Sequence, residues 1–217
     1  MPVMLSQRVW FPDANQADAD GLVAAGGDLS PERLLLAYRS GIFPWSINPL
    51  TWWSPDPRGI LPLDELHISV SLAKFLRRCP YEVTVDQAFQ EVMTACAAPG
   101  PKRGGTWISP EFIKGYTRLH ELGQAHSVEC WQDGKLVGGI YGVAVGGAFA
   151  GESMFHRADN GSKVVLVKLV ERLRERGFTL LDIQTVTEAT KPFGAREISR
   201  ADYLSRLAAA IKVNCIF

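Results

Sequence analysis

Asp182 and Gln184 in the run LLDIQ stand two residues apart in a short β-rich segment. On a strand, that spacing puts both side chains on one face and Leu181 and Ile183 on the other. A carboxylate beside a carboxamide can accept a proton from an incoming amine and orient it. The same pair also fits a solvated sheet face. A second acid, Glu152 in GESMF, follows a stretch from Ile140 to Ala150 that carries no charge. A lone carboxylate at the end of such a strand is either a surface group or a functional one.

The aromatic residues form the second candidate set. GIFPWSINPLTWWSPDPRG, residues 41–59, holds three of the six tryptophans and four of the thirteen prolines. Proline removes a backbone donor and fixes φ, so this run reads as an irregular connector, neither an interior helix nor a central strand. Trp107 in GTWIS precedes a helix start and serves either as a core plug or as an aromatic wall. Stacking of a nucleic-acid base on such a wall contributes roughly 1–3 kcal/mol.

Several chemistries lack their residues. His120-Glu121 would begin a zinc-protease motif, but Gln124 stands where the second histidine belongs. His67 and His156 have no partners at ligand spacing. The glycine-rich run 138–151 has no GxGxxG and no phosphate-loop lysine. HRADNGSK, the place for an amide cradle in a coenzyme-A enzyme, has one glycine, which weakens that reading. Lysines and arginines along 163–176, with Lys191, Arg196, Arg200 and Arg206, form either solvated helix faces or a phosphate track.

These groups need elements to hold them. DLSPERLLLAYRSG reads as a helix opened by Ser30-Pro31 and stopped at Gly41. Helices are expected over 69–79, 86–97 and from Ser109 to Gly123. APGPKRGG is a loop, and residues 1–28 look irregular. From Ala125 to Phe155 the pattern is three strands, with turns at Asp133-Gly134 and Gly146-Gly147. Ser162 caps a helix that ends at Gly177, LLDIQ is a strand, and a last helix covers about 199–211. The order is mixed α/β with an antiparallel start, compatible with an N-acetyltransferase-like fold. A boundary near residue 57 separates a small N-terminal domain, 1–57, from a catalytic domain, 58–217.

The chain has 217 residues and a net charge of zero, so it carries no global nucleic-acid footprint. Its charge is uneven, with four Lys/Arg against eight Asp/Glu over residues 1–66. Four scattered cysteines without a CxxC pair fit free thiols in a reducing compartment. No secretory leader or bilayer-spanning run is read, so the expected setting is cytoplasmic. Without heptads or an interface stripe, a monomer is expected.

Taken in order, GGDLS, GIFPW, WWSPDPRG, GTWIS, YTRLHELGQAHSVE, LVGGIYGV, GESMF and LLDIQ resemble the leucyl/phenylalanyl-tRNA–protein transferases. The resemblance runs from about residue 11 to 205, and the ordered set is far more specific than any one motif. It implies an α/β protein with a small N-terminal domain and an acetyltransferase-like C-terminal domain. The activity it implies is transfer of leucine or phenylalanine, with methionine as a third candidate donor, from aminoacyl-tRNA to proteins with N-terminal arginine or lysine, which marks them for degradation. The ester donor is already activated, so no cofactor or metal is called for.

The resemblance also assigns residues. The catalytic aspartate and its glutamine partner fall on Asp182 and Gln184, and the active-site glutamate on Glu152. The walls beside the terminal adenosine of tRNA fall on Trp45 and Trp107, facing each other across a cleft. The aminoacyl side-chain pocket falls on Ile140, Phe149, Met154 and Leu169. Asp182 is then expected to take the amine proton, directly or through Gln184; in the alternative, Asp182 and Glu152 hold the cationic acceptor. Trp52 and Trp53 are expected to pack the N-terminal part against the main domain. TVTEATKPFGARE departs from the family pattern at Lys191-Pro192-Phe193, and Leu169 replaces an aromatic found in some members. Two other classes remain open: a coenzyme-A-dependent N-acyltransferase of the same fold, and a non-catalytic RNA-binding module.

Overall fold

A computed structural model describes residues 2–98 and 106–217. The elements run β1 (Val3–Leu5), β2 (Leu22–Gly26), α1 (Pro31–Arg39), β3 (Phe43–Ile47), β4 (Leu50–Trp53) and β5 (Arg58–Ile60). Next come α2 (Val70–Leu76), β6 (Glu82–Val85), α3 (Phe89–Ala97), α4 (Pro110–Glu121), β7 (Ala125–Gln132), β8 (Lys135–Val145) and β9 (Ala148–His156). The chain closes with α5 (Gly161–Glu175), β10 (Leu180–Gln184), β11 (Arg196–Ile198) and α6 (Arg200–Ala210). Most of the expected APGPKRGG loop lies outside the described residues.

The strands form two sheets. One has four strands in the order β1-β2-β4-β3, and the other has seven in the order β11-β5-β10-β9-β8-β7-β6. In the large sheet β10 runs parallel to β9 while the other neighbours are antiparallel. A parallel pair needs a crossover connection, and α5 supplies it. The uncharged run Ile140–Ala150 is buried on both faces. Tyr141 and Val143 join Phe89, Val92, Phe112 and Tyr116 on one side, and Ile140 and Phe149 join α5 residues on the other.

The expected α/β class and its main elements are present, but the expectation for the two proline-rich stretches is corrected. Residues 41–59 are not an irregular connector, because they contain β3, β4 and β5. The prolines obey their own rule: Pro44 lies on edge strand β3, and Pro49, Pro55 and Pro57 lie between strands. Central strands β4 and β5 contain none. Residues 1–28 likewise hold β1 and β2. Asn160, in a left-handed conformation, caps α5 in place of Ser162.

Trp52 is fully buried, with Phe11 edge-on at 4.7 Å and its Nε1 donating to Gly26 O at 2.8 Å. It is thus a core residue of the four-stranded sheet. Trp53 is half-buried and packs edge-on against Trp45 at 5.8 Å.

Candidate functional site

The site forms where the large sheet splits. Pairing of β9 with β10 runs Leu180–Ala148, Leu181–Phe149 and Asp182–Ala150, then stops, although β9 continues to His156. A cavity of about 320 Å³ opens there. Gly151, Glu152, Ser153 and Met154 of β9 line one side, and Ile183, Gln184, Thr185 and Thr187 the other. Ile140, Leu166, Leu169 and Leu181 make its apolar floor.

A bulge aims Glu152 into this gap. Across β8 and β9, Tyr141 pairs with Ser153 and Gly142 with Gly151, so Glu152 is the extra residue. Bulges commonly re-aim side chains beside active sites. Glycine at 142 makes this one possible, since a Cβ there would lie 2.2 Å from Ala150 O. Glu152 Oε1 accepts from Gln184 Nε2 at 3.0 Å, and Oε2 accepts from Tyr116 Oη at 3.4 Å. Tyr116 also hydrogen-bonds Tyr38 through their hydroxyls. Burial pushes the Glu152 carboxyl up to about 8, helped by the charge of Asp182, while the Tyr38 hydroxyl and Arg58 pull the other way.

Asp182 sits differently. Gln184 has φ 56° and the β10–β5 register shifts between Asp182 and Gln184. The simple alternation expected for LLDIQ therefore breaks at its end. Ile183 and Gln184 both line the cavity, and Asp182 is not among its lining residues. Asp182 is 3% exposed and pairs with Arg58, at 2.9 Å from Nε to Oδ1 and 2.6 Å from Nη2 to Oδ2. Burial works against the Arg58 charge, but Asp182 outweighs it and holds the guanidinium above its ordinary range. The sequence reading missed Arg58. Its place at the end of WWSPDPRG was the available signal.

A second cavity of about 160 Å³ adjoins the first. Phe43, Pro44, Trp45 and Trp107 wall it, and it shares Glu152, Ile183, Gln184, Thr185 and Thr187 with the larger one. Trp45 is 46% exposed, and Trp107 is braced edge-on by Phe112 at 5.1 Å. The joined space therefore has an apolar end, an aromatic end and a polar waist between them.

Of the expected side-chain pocket, Ile140, Met154 and Leu169 line the 320 Å³ cavity. Phe149 is not among its lining residues. It packs behind the floor, stacked on Phe217 at 5.2 Å and paired in register with Leu181. A larger hollow of about 550 Å³ lies at the start of α3, around Asp86, Glu91, His120 and Arg157. Its histidine is used by the fold: the ring stacks on Phe89 at 4.4 Å and Nδ1 bonds Ala125 O at 2.8 Å. Along α5, Lys168 pairs with Glu171 and Arg172 lies over the Phe217 ring. No group of three or more potential metal ligands occurs among the described residues, and none of their helices is long and apolar enough to cross a membrane.

Two family models match the chain. One, described as leucyl/phenylalanyl-tRNA protein transferase, covers residues 60–208, and the other, described as the N-terminal domain of that transferase, covers residues 27–56. The leucyl/phenylalanyl-tRNA–protein transferase of Anaeromyxobacter sp. (strain Fw109-5) is 53% identical over 210 residues, covering 95% of this chain and 89% of that one. The protein of the same name from Stutzerimonas stutzeri (strain A1501) is 56% identical over 202 residues, covering 91% and 89%. Among solved structures, a GCN5-related N-acetyltransferase from Kribbella flavida aligns with a TM-score of 0.43 at 10% identity, over 76% of this chain and 59% of that one.

Proposed function

The chain belongs to the leucyl/phenylalanyl-tRNA protein transferase family, and from that premise we propose how its joined cavities carry out aminoacyl transfer from tRNA to protein. The observation that carries the proposal is the shared waist. One space has an apolar end lined by Ile140, Met154 and Leu169, an aromatic end walled by Trp45 and Trp107, and Glu152 with Gln184 between them. An aminoacyl ester of adenosine has the same sequence of parts: an apolar side chain, a reactive carbonyl and a flat base.

The donor's side chain enters the 320 Å³ cavity and its terminal adenine lies against Trp45 and Trp107. The ester carbonyl then lies at the waist. The acceptor is a protein with N-terminal arginine or lysine, whose new N-terminal residue marks it for degradation. Its α-amine has a pKa of about 7.7–8.0 and arrives mostly as ammonium at pH 7. Glu152, with a carboxyl pushed up to about 8, is matched to it. Near-equal pKa values let the proton pass with little cost.

In the reaction the amine nitrogen bonds to the ester carbonyl carbon and the carbon–oxygen bond to the ribose breaks. Glu152 takes the first proton that the ammonium loses, which frees the amine to attack, and returns it to the departing ribose oxygen, while the second proton leaves the nitrogen for solvent. Gln184 holds Glu152 through its carboxamide N–H and keeps its own carbonyl oxygen available for the amine. General-base help of this kind contributes roughly 10²–10⁴-fold, and placing two large substrates in one geometry adds to it.

The test offers the protein labelled leucyl-tRNA and an acceptor beginning with arginine, with and without ribonuclease. Label on the acceptor that ribonuclease abolishes is the expected result. Label taken only from an acyl-coenzyme A, or binding of the tRNA without transfer, overturns the proposal.

A further inference from the structure

The proposed function leaves a buried constellation beside the site unused: the guanidinium of Arg58 and what it holds. Arg58 is 1% exposed. Beyond its paired bonds to both Asp182 oxygens, Nη1 donates to Gly41 O at 3.1 Å and Nη2 to Tyr203 Oη at 3.2 Å. The rings of Phe43 and Tyr203 stand 4.8 and 4.3 Å from its Cζ. A planar, forked cation with five donors suits this arrangement, and an ammonium does not.

The carboxylate at the other end is fully subscribed. Oδ1 accepts from Arg58 Nε and from the backbone N–H of Gln184, the latter at 2.9 Å. Oδ2 accepts from Arg58 Nη2 and from Tyr203 Oη, the latter at 2.9 Å. An ionised carboxylate has about four lone-pair sites, and all are taken. Asp182 has none left for a substrate proton. What it does hold is Gln184. An aspartate that accepts from the backbone two residues on stabilises a turn, and here that turn carries Gln184 at φ 56°. Non-glycine residues adopt this conformation only when their surroundings enforce it. Gly59, next to Arg58, completes the seat, since a Cβ there would lie 2.7 Å from the Thr185 carbonyl carbon.

We infer that Arg58 is a positioning residue for the transfer reaction: by locking the Asp182 carboxylate it sets the left-handed backbone of Gln184 and so aims the Gln184 carboxamide at Glu152. Asp182 is the anchor in this chain of contacts, and the proton acceptor lies elsewhere. The inference rests on the transferase reading of the site.

The test is steady-state kinetics of Arg58→Lys with aminoacyl-tRNA and an arginine-initiated acceptor, beside wild type. Lysine keeps the charge and loses the fork. The expected result is a fall in kcat of about 30-fold or more with the donor KM within about threefold, because Arg58 lines neither cavity and its partners are Asp182, Gly41, Tyr203 and Phe43 rather than Trp45, Trp107 or the apolar cavity residues. Adding Asp182→Asn to this variant should cost less than about threefold more, since the pair acts as one unit. A kcat within threefold of wild type overturns the inference, as does a loss confined to KM. Where Arg58→Lys does not fold, the double variant Arg58→Met/Asp182→Leu replaces it, because a buried ion pair exchanged for apolar residues of similar volume often keeps stability. The same kcat loss is expected there, and failure of both to fold overturns a positioning role. An absence of transfer by the wild-type protein would instead count against the proposed function.

Discussion

Gln184 donates from Nε2 to Oε1 of Glu152 at 3.0 Å, across the gap where β9 and β10 have stopped pairing. Each residue reaches the other through a local irregularity, a bulge at Glu152 and a register shift at Gln184. The contact joins a carboxyl pushed up to about 8 to the residue at the cavity waist. A base works in its ionised form, so the contribution of Glu152 must grow as pH rises through about 8. The acceptor amine titrates in the same range, but it does so equally for a Glu152→Gln variant. The ratio of wild-type to variant kcat/KM should therefore climb about tenfold between pH 7 and 9. A flat ratio would show that Glu152 does not take the proton.

The same carboxyl has a signature in stability. Its folded-state pKa is raised from 4.5 to about 8. A raised acid favours the folded state fully below its unfolded pKa and loses that contribution as pH rises through the folded value. Thermal melts from pH 5 to 8.5 should show wild type losing ground to Glu152→Gln, by an amount on the order of a few kcal/mol. Parallel curves for the two proteins would mean that Glu152 ionises without penalty.

Much of this was legible in the sequence, and what was not has physical causes. Helices with Ser-Pro starts, such as α1 and α4, declare themselves through those two residues and their amphipathic faces. The three strands around Ile140–Ala150 did so through β-rich composition and paired glycines. Strands of three to five residues, such as β2, β4 and β5, are too short to show a period. In β3 the edge position tolerates Pro44, a residue that argues against a strand anywhere else. Of the expected site residues all but Phe149 and Asp182 line the two cavities, but their geometry was not legible. Alternation predicts one face for Asp182 and Gln184, and a left-handed residue at the strand end cancels it. The partner that explains Asp182, Arg58, is 124 residues away, and the run WWSPDPRG that ends on it does not say what it pairs with.

Trp45 offers a test of the donor end. It is 46% exposed, so its removal should leave the melting temperature nearly unchanged. Base stacking contributes roughly 1–3 kcal/mol, which is about 5- to 150-fold in affinity. Trp45→Ala should raise the dissociation constant of a 3′-aminoacyl-adenosine fragment within that range. Trp53, which touches Trp45 edge-on and is not among the cavity-lining residues, should matter less when replaced by alanine. Unchanged fragment binding by Trp45→Ala would place the adenine elsewhere.

In the proposed function the apolar end selects the amino acid that is transferred, and Met154 is the residue through which to test this. Met154 pairs across the sheet with Ile140, lines the 320 Å³ cavity and is only partly buried. Its flexible thioether adapts to branched or aromatic neighbours, which suits a pocket that takes both leucine and phenylalanine. A rigid ring at this position removes that freedom and shortens the cavity. Hydrophobic pockets separate substrates by about 1–3 kcal/mol per methylene, so Met154→Phe should lower phenylalanine transfer relative to leucine by about tenfold or more. Met154→Leu conserves volume and should leave the ratio within about threefold of wild type. Competition between the two charged tRNAs in one reaction reads the ratio directly and is insensitive to a loss of total activity. An unchanged ratio in Met154→Phe would mean that the donor side chain lies outside this cavity.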